Sequence, residues 1–89
     1  MPTREIAIIN KLGLHARAAA KFVNLASRFE SRITLSRDSQ KVNGKSIMGV
    51  MMLAAGQGTT LLLSTSGNDE EAALQQLSEL VQDRFGEED

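Results

Sequence analysis

Arg32-Ile33-Thr34-Leu35-Ser36-Arg37 alternates without a break, with Ile33 and Leu35 on one face and Thr34 and Ser36 on the other. A period of two over six residues is a strand that buries one side and wets the other. Asp38-Ser39 supplies a turn, and Gln40 to Asn43 reads as a short returning strand. Upstream, Glu5 to Ile9 is a β-branched run carrying Ile6, Ile8 and Ile9. Downstream, Thr59 to Thr65 holds Leu61-Leu62-Leu63, which suits a central strand. The segments between them change period. From Ala16 to about Phe29, the residues Ala19, Phe22, Val23, Ala26 and Phe29 recur at helical spacing, behind an alanine-rich first turn. Ser46 is placed to N-cap a short helix over Ile47 to Leu53.

The last helix follows Asn68, with Glu71 three residues on as a capping-box variant. Its buried stripe is Ala73, Leu74, Leu77, Leu80, Val81 and Phe85, and Gly86 is the expected C′ stop. Glu87-Glu88-Asp89 reads as a frayed, solvated tail. The order is β-α-β-β-α-β-α. Helices with one apolar side need a sheet face to cover, so a two-layer α+β domain follows, one domain over 1–89. Right-handed crossovers limit the strand orders without choosing among them.

Composition narrows the function. Eighty-nine residues make one compact domain and give it a thin core. Ten basic and eleven acidic residues leave a net charge of −1, so no basic field recruits nucleic acid. With no Trp, no Tyr and three Phe, there is no platform on which bases could stack. Cysteine is absent, which excludes disulfides, thiolate zinc sites and redox motifs. Neither a signal peptide nor a membrane span is legible, and a cytoplasmic, monomeric protein without cofactor or metal is the expectation.

One histidine stands in Gly13-Leu14-His15-Ala16-Arg17-Ala18-Ala19-Ala20. A lone His is ordinarily a surface residue or a cap, and its position alters that expectation. A helix start leaves backbone N–H groups unpaired and receives anions. Arg17 adds a forked guanidinium suited to phosphate oxygens. An imidazole nucleophile with such neighbours suits a transient phosphoryl group on nitrogen. No Walker loop, no second histidine and no carboxylate close in sequence accompany His15, so the chain is not expected to be a stand-alone enzyme.

Asn10-Lys11-Leu12-Gly13-Leu14-His15-Ala16-Arg17 resembles the active-site segment of the HPr family, the histidine-containing phosphocarriers of the phosphoenolpyruvate phosphotransferase system. Val42-Asn43-Gly44-Lys45-Ser46-Ile47-Met48-Gly49-Val50-Met51 resembles its second signature, around a regulatory serine. Two motifs in one short chain are far more specific than either alone. The resemblance implies an open-faced two-layer sandwich, a four-stranded antiparallel sheet of order 1-4-2-3 with three helices on one face. It implies that His15 accepts a phosphoryl group on Nδ1 from phosphorylated enzyme I and passes it to an enzyme IIA-type acceptor. Arg17 would neutralise the phosphoryl oxygens. Ser46 becomes a candidate phosphoserine for a dedicated kinase or phosphorylase, and Ile47, Met48 and Met51 a partner-docking patch near His15. Ala18 departs from the proline frequent in the family, a change the first helical turn tolerates.

The ordinary readings differ. Ile47, Met48, Met51 and Met52 are by default core, although so short a helix cannot bury them all. Lys21, Arg28 and Lys45 are by default solvated charges. A regulatory interaction module of the nitrogen-related phosphotransferase branch is the alternative function. A small-molecule sensor is disfavoured, since it has no need of His15 and Arg17 together at a helix start.

Overall fold

β4 (Thr60–Ser66) carries the leucine run through the middle of the sheet. It pairs antiparallel with β1 (Thr3–Ala7) on one side and with β2 (Arg32–Arg37) on the other. β3 (Gln40–Asn43) closes the far edge against β2, giving the order β1-β4-β2-β3. The computed structural model describes residues 2–88, so Asp89 of the expected tail lies outside the described residues. The register sets Ile6 opposite Leu61, and Leu35 opposite Leu63. These four, with Ile33, point into the core. Thr34, Ser36, Leu62 and Ser64 occupy the other face, where Thr34 pairs with Ser64 and Ser36 with Leu62. The alternation in β2 sorts its side chains as expected and gives an open-faced α+β sandwich, although Ser36 and Ser64, inside the sheet, are buried where the alternation predicts contact with water.

The helices α1 (Ala16–Ala26), α2 (Ile47–Met52) and α3 (Glu70–Gln82) complete the other layer. α1 buries Ala18, Ala19, Phe22, Val23 and Ala26, and α3 buries Ala73, Leu74, Leu77, Ser78 and Val81. α1 ends before Phe29 because its last turn tightens: the amides of Arg28 and Phe29 donate to the carbonyls of Leu25 and Ala26, three residues back. β1 and β4 are each offset from the expected bounds at their ends. The ladder nonetheless runs on past them, with Ile8 N donating to Thr59 O at 2.9 Å.

Two expectations at α3 fail for physical reasons. Its N-cap is Asp69, and the Asp69 side chain caps nothing. The loop before β2 has claimed that carboxylate: Glu30 N and Ser31 N donate to it at 2.9 and 3.0 Å, and the Ser31 hydroxyl joins them. Asn68 and Glu71 form no capping box; the Asn68 amide donates towards Glu30, and Glu70 accepts from Gly67 N. At the other end, α3 stops at Gln82, short of Gly86. The chain then turns back through a 3-10 turn (Arg84–Gly86) in which Arg84, Phe85 and Gly86 all have left-handed φ, at 56°, 55° and 79°. Phe85 is fully buried as expected, but from this turn and not from the helix.

The Ser31 hydroxyl, followed by the Glu30 amide, holds the Asp69 carboxyl below its ordinary pKa. A carboxylate depressed in the folded state stabilises above its unfolded pKa, roughly 3.9 for Asp. The contribution is lost as pH falls through the lower folded value. Urea melts between neutral pH and about pH 3 should therefore show a shallower acid loss for Asp69→Asn than for the parent protein. Identical slopes would deny Asp69 that linkage.

Candidate functional site

His15 is the N-cap of α1, with extended backbone at φ −72° and ψ 176°. Its carbonyl accepts from Ala19 N at 2.8 Å, while its side chain makes no capping bond. The ring is thereby left to other partners, and it is 29% exposed. The loop leading to it is pressed against the segment after α2, where Leu14 N donates to Ala55 O at 2.8 Å. Gly13 makes this approach possible. Its φ is +68°, and a Cβ there would meet Ala55 O at 2.6 Å and Gly56 Cα at 2.7 Å.

The sequence places no carboxylate near His15, yet the fold supplies one. His15 Nε2 bonds to Glu87 Oε2, across 72 residues of chain. Glu87 Oε1 accepts from Asn10 Nδ2 at 2.9 Å, and the same Asn10 amide nitrogen donates to Gly13 O at 2.8 Å. Asn10 is completely buried, and Glu87 is only 18% exposed at its side chain. Glu87 is therefore no solvated tail residue. Asn10, and after it His15, donates to its carboxylate and holds the pKa below the ordinary value, with Lys21 adding a favourable charge and burial opposing. Asn10 and Glu87 are the members of this site that sequence reasoning missed. Asn10 opens the segment that resembles the family's active site, and no local pattern marks Glu87.

Arg17 is exposed and lines one open cavity of about 600 Å³ with Lys11, Leu12, His15, Glu87 and Glu88. Among the described residues it makes no hydrogen bond or ion pair, so its guanidinium is available to a ligand. The first-turn amides of α1 open beside the ring as well. A nucleophilic ring nitrogen, amide donors and a fork of N–H groups can together hold a phosphoryl group.

Ser46 lies apart from this cavity. Its hydroxyl accepts from Gly49 N at 3.1 Å and caps α2, as the sequence indicates. The default core reading of α2 is overturned: only Val50 is buried, and Ile47, Met48, Met51 and Met52 are all exposed. Six residues give too little helix to turn more than one side chain inward. Met48 is 73% exposed, and Leu12, in the loop before His15, 67%. The default reading of the basic residues also changes. Lys21 Nζ donates to Phe85 O at 2.7 Å and Lys45 Nζ to Phe29 O at 2.6 Å, so both tie down backbone carbonyls. Among the described residues, no cluster of His, Cys, Asp or Glu could hold a metal ion, and no helix is long and apolar enough to cross a membrane.

Residues 2–83 match the family model described as the PTS HPr component phosphorylation site. The chain is 58% identical over 88 residues to the phosphocarrier protein HPr of Pseudomonas aeruginosa, covering 98% of each chain. A crystal structure of HPr from Thermoanaerobacter tengcongensis superposes with a TM-score of 0.96 at 51% identity, covering 99% of both chains. An HPr dimer from the same organism aligns at a TM-score of 0.79 and 50% identity, over 98% of this chain and all of that one. The imidazole at a helix start, the guanidinium beside it and the match along nearly the whole length lead to one conclusion: the chain belongs to the HPr family, the phosphocarriers of the phosphoenolpyruvate phosphotransferase system.

Proposed function

We propose that His15 is the residue that carries the phosphoryl group, accepting it on Nδ1 from phosphorylated enzyme I and handing it to an enzyme IIA-type acceptor. The observation that carries this reading is the ring itself. Nε2 is engaged by Glu87, Nδ1 has no partner among the described residues, and His15 lines the same cavity as Arg17. The protein has no turnover of its own in this scheme, because donor and acceptor both come from outside. Incubation with phosphoenolpyruvate and enzyme I should give one acid-labile phosphoryl adduct. No adduct at all would overturn the assignment.

Arg17 neutralises the phosphoryl oxygens. Arg17→Ala should fold normally and transfer more slowly, because the phosphoryl charge loses a two-pronged partner. Lysine should restore only part of the rate, since it offers a point charge. Transfer rates equal to wild type in both variants, with folding verified, would make Arg17 a bystander.

The exposed side chains of Ile47, Met48 and Met51 on α2, with Met52 at its end, are the docking surface for these partners. Methionines fit it to several different surfaces. Ser46 stands at the start of that patch. A phosphate on its hydroxyl would sit at a helix start, where negative charge does not unfold the domain. It would add about two negative charges beside the docking surface. Ser46→Asp should accept phosphoryl from enzyme I more slowly than wild type at low salt, with Ser46→Ala near wild type. Equal rates for all three would leave Ser46 as a helix cap alone.

A further inference from the structure

We infer that Glu87 is a positioning residue for phosphoryl transfer: held by buried Asn10, its carboxylate keeps the imidazole proton of His15 on Nε2 and leaves the Nδ1 lone pair to attack phosphorus. The inference rests on the proposed role of His15 as phosphoryl carrier.

The geometry is directional. Asn10 has one amide group with two N–H bonds. One goes to Gly13 O and the other to Glu87 Oε1, at 2.8 and 2.9 Å. Both recipients are pure acceptors, so the orientation of the Asn10 amide is fixed by its partners. The second oxygen of Glu87 then faces His15 Nε2. An ionised carboxylate can only accept, so the hydrogen between them belongs to the ring nitrogen. In a neutral imidazole that leaves Nδ1 without a proton, as a nucleophile must be.

The chain is built to hold Glu87 there. Phe85, two residues earlier, is wholly buried, and Lys21 Nζ grips its carbonyl at 2.7 Å. Between Phe85 and Glu87 the backbone passes through left-handed φ at Gly86, and Glu87 N donates to Arg84 O at 2.9 Å. Three successive left-handed residues, two of them not glycine, are a conformation that surroundings must impose. They aim the Glu87 side chain back across the start of α1. Asn10 itself belongs to the same loop as Gly13, so one buried amide sets both the approach of that loop and the position of the carboxylate.

The step balances with the proton left in place. The Nδ1 lone pair forms a bond to phosphorus as the bond from phosphorus to the donor breaks, and the donor atom keeps that electron pair. Nε2 retains its hydrogen, and the positive charge that develops on the ring lies beside the Glu87 carboxylate. In onward transfer the Nδ1–phosphorus bond breaks, the pair returns to Nδ1, and a neutral ring protonated on Nε2 leaves. Glu87 thus serves both directions without exchanging a proton.

Glu87→Gln separates positioning from stapling. Asn10, pinned by Gly13 O, still donates to the glutamine oxygen. The glutamine NH₂ then faces His15 Nε2 and donates to it, which moves the ring proton to Nδ1. The expected order of transfer rates from phosphorylated enzyme I is wild type, then Glu87→Ala, then Glu87→Gln. The glutamine variant should lose about tenfold or more, as when a neighbouring amide imposes the wrong tautomer. A contact that merely staples the chain gives the reverse order, because glutamine keeps the bond to Asn10 and alanine does not. Nitrogen-15 NMR of the His15 ring, at a pH where it is neutral, should show the proton on Nε2 in wild type and on Nδ1 in Glu87→Gln. A wild-type tautomer in the glutamine variant, or transfer as fast as in Glu87→Ala, overturns the inference. The NMR measurement needs no phosphoryl transfer. It therefore judges Glu87 even where phosphorylation at another residue of wild type would overturn the role of His15.

Discussion

His15→Ala should reduce phosphoryl acceptance from enzyme I to background while leaving the fold in place. The loss is expected to be complete because the chain has one histidine, and alanine at position 15 removes its only imidazole. The fold should survive because the His15 side chain caps nothing. The bond to Ala19 N comes from its carbonyl, which alanine retains. The substitution removes the partly buried side-chain bond to Glu87, while Glu87 keeps its bond from Asn10, so the loss is confined to one contact. Two measurements check the expectation together: mass spectrometry of the protein after incubation with phosphoenolpyruvate and enzyme I, and a urea melt. An acid-labile phosphate that persists on His15→Ala would place the acceptor elsewhere. A variant that fails to fold would show that His15 does structural work which its hydrogen bonds do not reveal.

What could be read from the sequence divides by the range of the interaction responsible. The alternation from Arg32 to Arg37 and the helical spacing from Ala16 are local patterns, and both give elements close to those observed. The Ser46 cap is local too, since its partner Gly49 lies three residues away. Strand order is another matter. Antiparallel neighbours and right-handed crossovers leave several orders open, and 1-4-2-3 came from the resemblance of two motifs to a known family. His15 and Arg17 were visible as a pair because one short helix start presents both. The residues that complete their surroundings were hidden by distance. Asp69 gives its carboxylate to Ser31, 38 residues away, so a capping pattern that looked sufficient locally was not used. Glu87 meets His15 only because the chain reverses through Arg84, Phe85 and Gly86, which no periodicity announces. A run of acidic residues at a chain end reads as solvated unless the path that brings it back is known. The exposure of α2 has the same origin: its apolar residues suggest core, while its six-residue length and its place in the layer decide which one is covered.

Phe85→Ala should destabilise the domain by about 3–5 kcal/mol, as removal of a buried phenyl ring does. The ring is fully buried and packs where the 3-10 turn meets both α1 and α3, so its loss opens a cavity between two helices. Alanine gains nothing in return, because the left-handed φ of 55° at this position remains strained for any residue with a Cβ. Leu77→Ala, at an equally buried site within α3, should cost about 2–5 kcal/mol by the same mechanism. Against a total stability of about 5–15 kcal/mol, either variant comes near the limit for a folded domain. The two should differ in what they do to the site. Leu77 seals the sheet and lies in the body of α3, so the folded fraction of Leu77→Ala should keep the His15 proton on Nε2. Phe85 anchors the turn from which Glu87 reaches back, and its loss should free that carboxylate even in molecules that remain folded. Urea melts measure the first effect and the nitrogen-15 spectrum of His15 measures the second. A loss below about 1 kcal/mol for Phe85→Ala would put the ring at the surface and remove the anchor on which the position of Glu87 depends.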